Sequence, residues 1–241
     1  QGIGVQVIVS CTYIPVNSRC NRKADMIFPG LYLECDFRCQ MLRAGVSRLD
    51  AILLTHEHKD HTGGIDDVRA FNFVDYPPVI HPVDIYAAPA AARVVRKDYD
   101  YAFEEEKYRG APDIRLHEID VARPLEIAGE RIVPVSGHHS ERFEVTGYRI
   151  GRMAYLTDFK TIADAEVGKL IGVELLVVNA LRFRPHPSHF NVGEALALIA
   201  RVAPRRALIT HVSHEIGRHA ATTALLPRGV ELAYDGLEII I

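Results

Sequence analysis

The residues Thr55-His56-Glu57-His58-Lys59-Asp60-His61 place three imidazoles and the Asp60 carboxylate together, directly after the apolar stretch Asp50-Ala51-Ile52-Leu53-Leu54. Neutral imidazole is the commonest side-chain metal ligand. If the chain stays extended to residue 58, His56 and His58 point the same way, because side chains alternate along a strand. Asp60 and His61 then reach the same space from the turn beyond. Two adjacent ligand sets of this kind suit a pair of Zn or Mn ions better than one closed structural ion. The plain alternative is a polar loop with several surface histidines, and the density of ligands after a buried strand weighs against it.

Nine of the twelve histidines fall in four places. Besides the first motif these are Ser136-Gly137-His138-His139-Ser140, Arg184-Pro185-His186-Pro187-Ser188-His189 and Thr210-His211-Val212-Ser213-His214. One more carboxylate, Asp158, closes the run Tyr155-Leu156-Thr157-Asp158. Singly, each is weak: a strand-end histidine is more often structural, and Asp158 alone would be a good helix N-cap. Together they carry weight, because strand ends in a layered α/β protein converge on one rim where ligands collect.

The elements that would position these groups are legible as alternating runs. Strand-like segments recur at 51–54, 83–87, 131–135, 146–150, 153–156, 175–178, 206–210 and 237–241, with helix-like segments at 90–97, 162–170, 192–202 and 215–225. Asn191 with Glu194 forms a capping-box pattern for the third helix. Mixed strands with interspersed helices point to a layered α/β fold. The stretch 71–82, with three prolines, reads as an ordered surface loop, residues 1–10 as a candidate strand, and 11–28 as irregular loop.

Composition bounds the function classes. The chain has 241 residues, 48% hydrophobic and 24% charged, which fits one domain over residues 1–241. With 28 basic and 31 acidic residues the net charge is −3, so no global field favours nucleic acid or an anionic membrane. No apolar run approaches the ~18 residues a membrane helix needs. No signal peptide is evident, and four cysteines (Cys11, Cys20, Cys35, Cys39) are too few for a disulfide scaffold, so the expected setting is reducing and cytoplasmic.

The order of motifs resembles the metallo-β-lactamase superfamily, whose fold is an αββα four-layer sandwich with mixed sheets, helices on the outer faces and a dinuclear site at one edge. Its His-x-His-x-Asp-His signature stands here as His56, His58, Asp60 and His61. The resemblance implies that His56, His58 and one of His138 and His139 bind a first metal. His139 is favoured, because the small residue Ser140 follows it. Asp60, His61 and His211 would bind the second metal, with Asp158 bridging. The stretches Thr210–His214, Tyr234-Asp235-Gly236-Leu237-Glu238, Gly147–Ile150 and Asp36-Phe37-Arg38 are similar to the cyclic-phosphate phosphodiesterases of the carbon–phosphorus lyase pathway. In that branch a histidine at the position of His189 acts at the scissile phosphate as acid or charge stabiliser, which groups it with Asp60 as catalytic. His186 and Arg184 are the accompanying substrate-binding candidates. The branch also carries a structural zinc on a Cys-x-Cys-x-x-Cys loop. The tight spacing is absent here, leaving Cys11, Cys20 and His214 as candidate ligands for a third ion.

The implied activity is hydrolysis of a small cyclic or nucleotide-like phosphodiester by a hydroxide held between two divalent ions, Zn or Mn. Two alternatives stand beside it. One is another hydrolase on the same scaffold, a transfer-RNA 3′-processing nuclease or a thioester or lactone hydrolase. The other is a metal-binding module without catalysis. A nuclease of structured RNA should show a basic arm, and none is visible. The partner is expected to be a small phosphodiester or nucleotide, with no membrane and a homodimer as the open assembly.

Overall fold

The computed structural model describes residues 5–9, 11–16, 26–31, 37–75, 79–237 and 239–240. No helix among them is long and apolar enough to cross a membrane. The chain divides into two compact units, Gln1–Asp120 and Val121–Ile241.

The first unit is built on a mixed sheet. Its strands are β1 (Val5–Val9), β2 (Cys11–Val16), β3 (Met26–Leu31), β4 (Ala51–Leu53), β5 (Val83–Ala87) and β6 (Ile114–Glu118). They run in the order β3-β2-β1-β4-β5-β6. β1, β2 and β3 pair antiparallel, while β1, β4, β5 and β6 pair parallel. The expected irregular loop at 11–28 is therefore corrected, since it contains β2 and the start of β3. The alternation there is masked in the sequence by Pro15, Asn17 and the charged run Arg22-Lys23-Ala24-Asp25. Helices α1 (Phe37–Ala44), α2 (Lys59–Thr62), α3 (Arg69–Asn72) and α4 (Pro89–Asp98) complete the unit. Phe37, Ile52, Leu54, Ile65, Ile85, Ala92 and Val95 form its core. The proline-rich stretch is reached by α3, and its residues 76–78 lie outside the described set.

The second unit carries β7 (Leu125–Ile127), β8 (Glu130–His138), β9 (Glu144–Ile150), β10 (Met153–Leu156), β11 (Leu175–Asn179), β12 (Arg206–Thr210) and β13 (Val230–Leu232), with β14 (Ile239–Ile240) near the chain's end. The sheet order β13-β12-β11-β10-β9-β8-β7 is antiparallel from β7 to β10 and parallel from β10 to β13. Helices α5 (Asp164–Gly168), α6 (Val192–Val202) and α7 (His219–Thr223) flank it. β11 is buried along its whole length, as a central parallel strand should be. The expected capping box is present: Asn191 accepts from the Glu194 N–H and Glu194 accepts from the Asn191 N–H. One expected helix, 215–225, is instead a 3₁₀ turn at His214–Ile216 followed by α7, because Gly217 at φ 95° breaks it.

Register brings the chemistry to one end of this sheet. Leu156 pairs with Val178, and Asn179 pairs with Thr210, so Asp158, Asn179 and His211 follow one another across the carboxyl ends of β10, β11 and β12. Gly137 makes the approach of β8 possible. A Cβ there would lie 2.2 Å from the Phe159 ring and 2.9 Å from the Thr161 carbonyl.

Candidate metal centre and active site

In the first unit, β4 ends at Leu53, so the chain is not a strand out to residue 58 as the alternation argument supposed. The imidazoles converge by another route. The Leu54 N–H donates to Tyr86 O at 2.9 Å, and the backbone then turns into α2 with His58 in an extended conformation at its N-terminus. His56 Nε2 meets His58 Nδ1 at 3.0 Å, and the His56 and His61 rings lie 4.3 Å apart. Thr55 Oγ1 sits 3.1 Å from the other nitrogen of His56. His56 and His61 are buried, whereas Asp60 is half exposed with its Oδ2 3.3 Å from His61 Nε2.

Two nitrogens on one tetrahedral zinc stand roughly 3.3 Å apart, given Zn–N bonds near 2.05 Å. The His56–His58 pair matches that spacing within a few tenths of an ångström. A group outside the motif reaches the end of α2: Tyr99 donates its hydroxyl to the Thr62 carbonyl at 2.7 Å. Burial pushes this phenol up to about 12, so it remains a donor at neutral pH.

In the second unit, His139, Asp158 and His189 offer ligand atoms all within 4.8 Å of one another. His211 Nε2 is 3.1 Å and His189 Nδ1 3.6 Å from the same Asp158 oxygen, Oδ1. The ring of His189 lies 4.5 Å from His139, 5.0 Å from His186 and 5.0 Å from His211. His139, not His138, is in this cluster. His139 is buried and its Nδ1 donates to the Ser188 carbonyl at 2.7 Å, which leaves Nε2 for a ligand. His138 is exposed and bridges to Thr161 through its backbone. These nitrogen and carboxylate donors, oriented by neighbours, are of the chemical type that suits a divalent transition metal, and His139, Asp158 and His189 form a ligand group within the second unit.

Asp158 and His211 both have left-handed backbones, φ 62° and 54°. Such conformations are uncommon outside glycine and cluster at functional sites. A residue that sequence reasoning missed holds the first in place. Asn179, fully buried, accepts the Phe159 N–H at 2.8 Å and donates to the Phe159 carbonyl at 3.0 Å. Its signal was an amide ending an otherwise apolar strand. Thr157 adds a hydroxyl to Asp158 Oδ2 at 2.6 Å, and the Phe190 N–H reaches Phe159 O at 2.8 Å.

The loop bearing His186 and His189 is tied down by Glu215, which ion-pairs with both Arg182 and Arg184. The Arg182 guanidinium, with Arg184 beside it, holds this carboxylate below its ordinary range. Arg184 thus sits on Glu215, mostly in solvent. His189 Nδ1 is buried with no hydrogen-bond partner among the described residues. Burial lowers its pKa to about 3 against the opposing pull of Asp158, and burial lowers His186 as well. Of the third-ion candidates, Cys20 and the side chain of Cys11 lie outside the described residues. His214 is exposed at the 3₁₀ turn, Cys11 lies in β2, and Cys20, like Cys35, lies outside the described set.

Residues 29–212 match the model of the beta-lactamase superfamily domain, and the chain belongs to that family, in the α/β class with the metallo-β-lactamase fold. It is 35% identical to a diphosphatase from the PhnP family, with a TM-score of 0.77 over 86% of this chain and 77% of that one. The short form of human tRNase Z is similar in fold, with a TM-score of 0.61 and 15% identity over 98% and 96% of the two chains. An octanoyltransferase of Porphyromonas gingivalis is 36% identical over 214 residues, 88% of this chain. The chain spans 42% of that relative's length. The family supports a hydrolase, and its fold implies divalent metal binding.

Proposed function

We propose that the protein is a dinuclear-metal-dependent phosphodiesterase acting on a small cyclic or nucleotide-like phosphodiester. His56, His58 and His139 would hold one ion, Asp60, His61 and His211 the other, and Asp158 both. Bound divalent ions acidify water to near neutrality and take up charge on phosphoryl oxygens. Every other part of the chemistry falls to the chain. Asp158 Oδ1 and His211 Nε2 stand 3.1 Å apart, near the spacing of two ligands on one ion, and the Ser188 carbonyl fixes the His139 tautomer at 2.7 Å.

The observation that carries the phosphate bias is His189, a further histidine inside the second unit's cluster. Held neutral by burial, its ring suits hydrogen-bond donation to a phosphoryl oxygen, and an arriving anion would raise its pKa toward that of a general acid. The 35% identity to a diphosphatase supports a phosphorus centre. A second reading, hydrolysis of an acyl thioester, draws on the relative named an octanoyltransferase.

The test offers bis(p-nitrophenyl) phosphate, a 2′,3′-cyclic nucleotide and an acyl thioester to the Mn- or Zn-loaded protein and to His189→Ala. Phosphodiester turnover is expected, with His189→Ala slower by ~10²–10⁴-fold on the alkoxide-leaving nucleotide and far less on the p-nitrophenyl ester, whose leaving group needs no proton. Rapid thioester cleavage with inert phosphodiesters would sink the proposal. Loss of metal from His189→Ala would make His189 a ligand instead, as its place beside His139 and Asp158 also permits.

A further inference from the structure

We propose that Tyr99 is a positioning residue that holds Asp60 and His61 for a divalent ion from outside the ligand motif. This rests on the dinuclear reading above. The segment bearing the two side chains is α2, only four residues long and without a side-chain cap at His58. Helix nucleation is unfavourable, so one turn in isolation does not hold its shape. Its stiffness must come from elsewhere.

Two contacts from the end of α4 contribute to it. The Tyr99 hydroxyl donates to the Thr62 carbonyl at 2.7 Å, at the exit of α2 and next to His61. Lys59 Nζ, at the entrance, meets Asp98 Oδ2 at 2.5 Å and lies 5.8 Å from the centre of the Tyr99 ring. Within the turn, Thr62 Oγ1 donates to the His58 carbonyl at 3.1 Å. The supporting helix is itself anchored, with Ala91, Ala92 and Val95 in the unit's core. The two contacts are unequal. Lys59 is 67% exposed, so its ion pair is screened and weak. Tyr99 is 8% exposed, and its hydrogen bond is the one expected to set where α2 sits.

Tyr99→Phe isolates the hydroxyl, because the ring stays while the bond to the Thr62 carbonyl and the contact with the Ile65 backbone are lost. Direct partners of metal ligands typically contribute ~10–100-fold in affinity, and Tyr99, bonded one residue beyond His61, is expected at the lower end of that range. The experiment strips the whole protein of metal and titrates Mn and Zn against a chromophoric chelator, alongside apo-protein melting. Wild type is expected to take up two ions. Tyr99→Phe should bind one of them at least ~10-fold more weakly and the other nearly as before, while Asp98→Asn changes either by less than ~3-fold. Unchanged affinities with only a lowered melting temperature would overturn the inference and leave Tyr99 a structural residue. Failure of the wild type itself to bind two ions would overturn the dinuclear reading, a distinguishable result.

Discussion

Asp158 illustrates how a single residue is held in an unfavourable state. Its positive φ is maintained by Asn179, which grips both backbone polar groups of Phe159. Asn179→Leu removes both bonds and leaves the buried Phe159 N–H unmet, at ~1–3 kcal/mol for such a group. Asp158 is then expected to relax, with metal affinity falling at least ~10-fold as for other supporting groups. Chelator competition beside urea unfolding checks this, and unchanged affinity would show that the strain is held by other contacts. At this scale the sequence was legible in which histidines gather and not in the groups that support them. His56, His58 and His61 cluster in the order the motif suggested. Asn179 and Tyr99 did not stand out, because their roles depend on backbone groups distant in sequence. His139 and His138 separated only through burial, His138 ending β8 exposed and His139 lying buried just beyond it.

At the scale of elements, α6 ends on Ala203 with φ 51°, a left-handed position where glycine is favoured, just before Pro204. An L side chain there costs ~1–2 kcal/mol, so Ala203→Gly should stabilise by about 1 kcal/mol and raise Tm by roughly 2–4 °C. A calorimetric Tm that falls would show the cap to be unstrained. The His186–His189 loop answers to pH through Glu215. Its folded pKa lies below the unfolded value, so the clamp contributes above the ordinary carboxylate range and is lost as pH falls through the lowered pKa. Hydrogen exchange across residues 181–189 should therefore quicken on acidification, after correction for intrinsic rates, and Glu215→Gln should loosen the loop at neutral pH. Equal protection in the two proteins at neutral pH would remove Glu215 from that role. Longer elements such as α6, β5, β9 and β12 were readable from hydrophobic pattern. Short ones such as β7, β13 and α2 were not, because a strand or helix of three or four residues is set by tertiary pairing rather than its own propensity.

For the whole molecule, the two units each present a histidine-rich group at the ends of their strands, and the proposal needs both. Fold class followed from alternating strands and helices, as the family match agrees. The substrate was less legible, since rim loops set specificity and the curated relative is more than twice as long as the matched region. The most direct measurement is metal content and turnover together. Apo-protein is loaded stepwise with Mn while bis(p-nitrophenyl) phosphate hydrolysis is followed, for wild type and for Asp158→Asn. The account predicts two ions per chain, activity that appears with the second equivalent, and loss of ~10²-fold or more in Asp158→Asn. Saturation at one ion, or full phosphodiester turnover by Asp158→Asn, would contradict it.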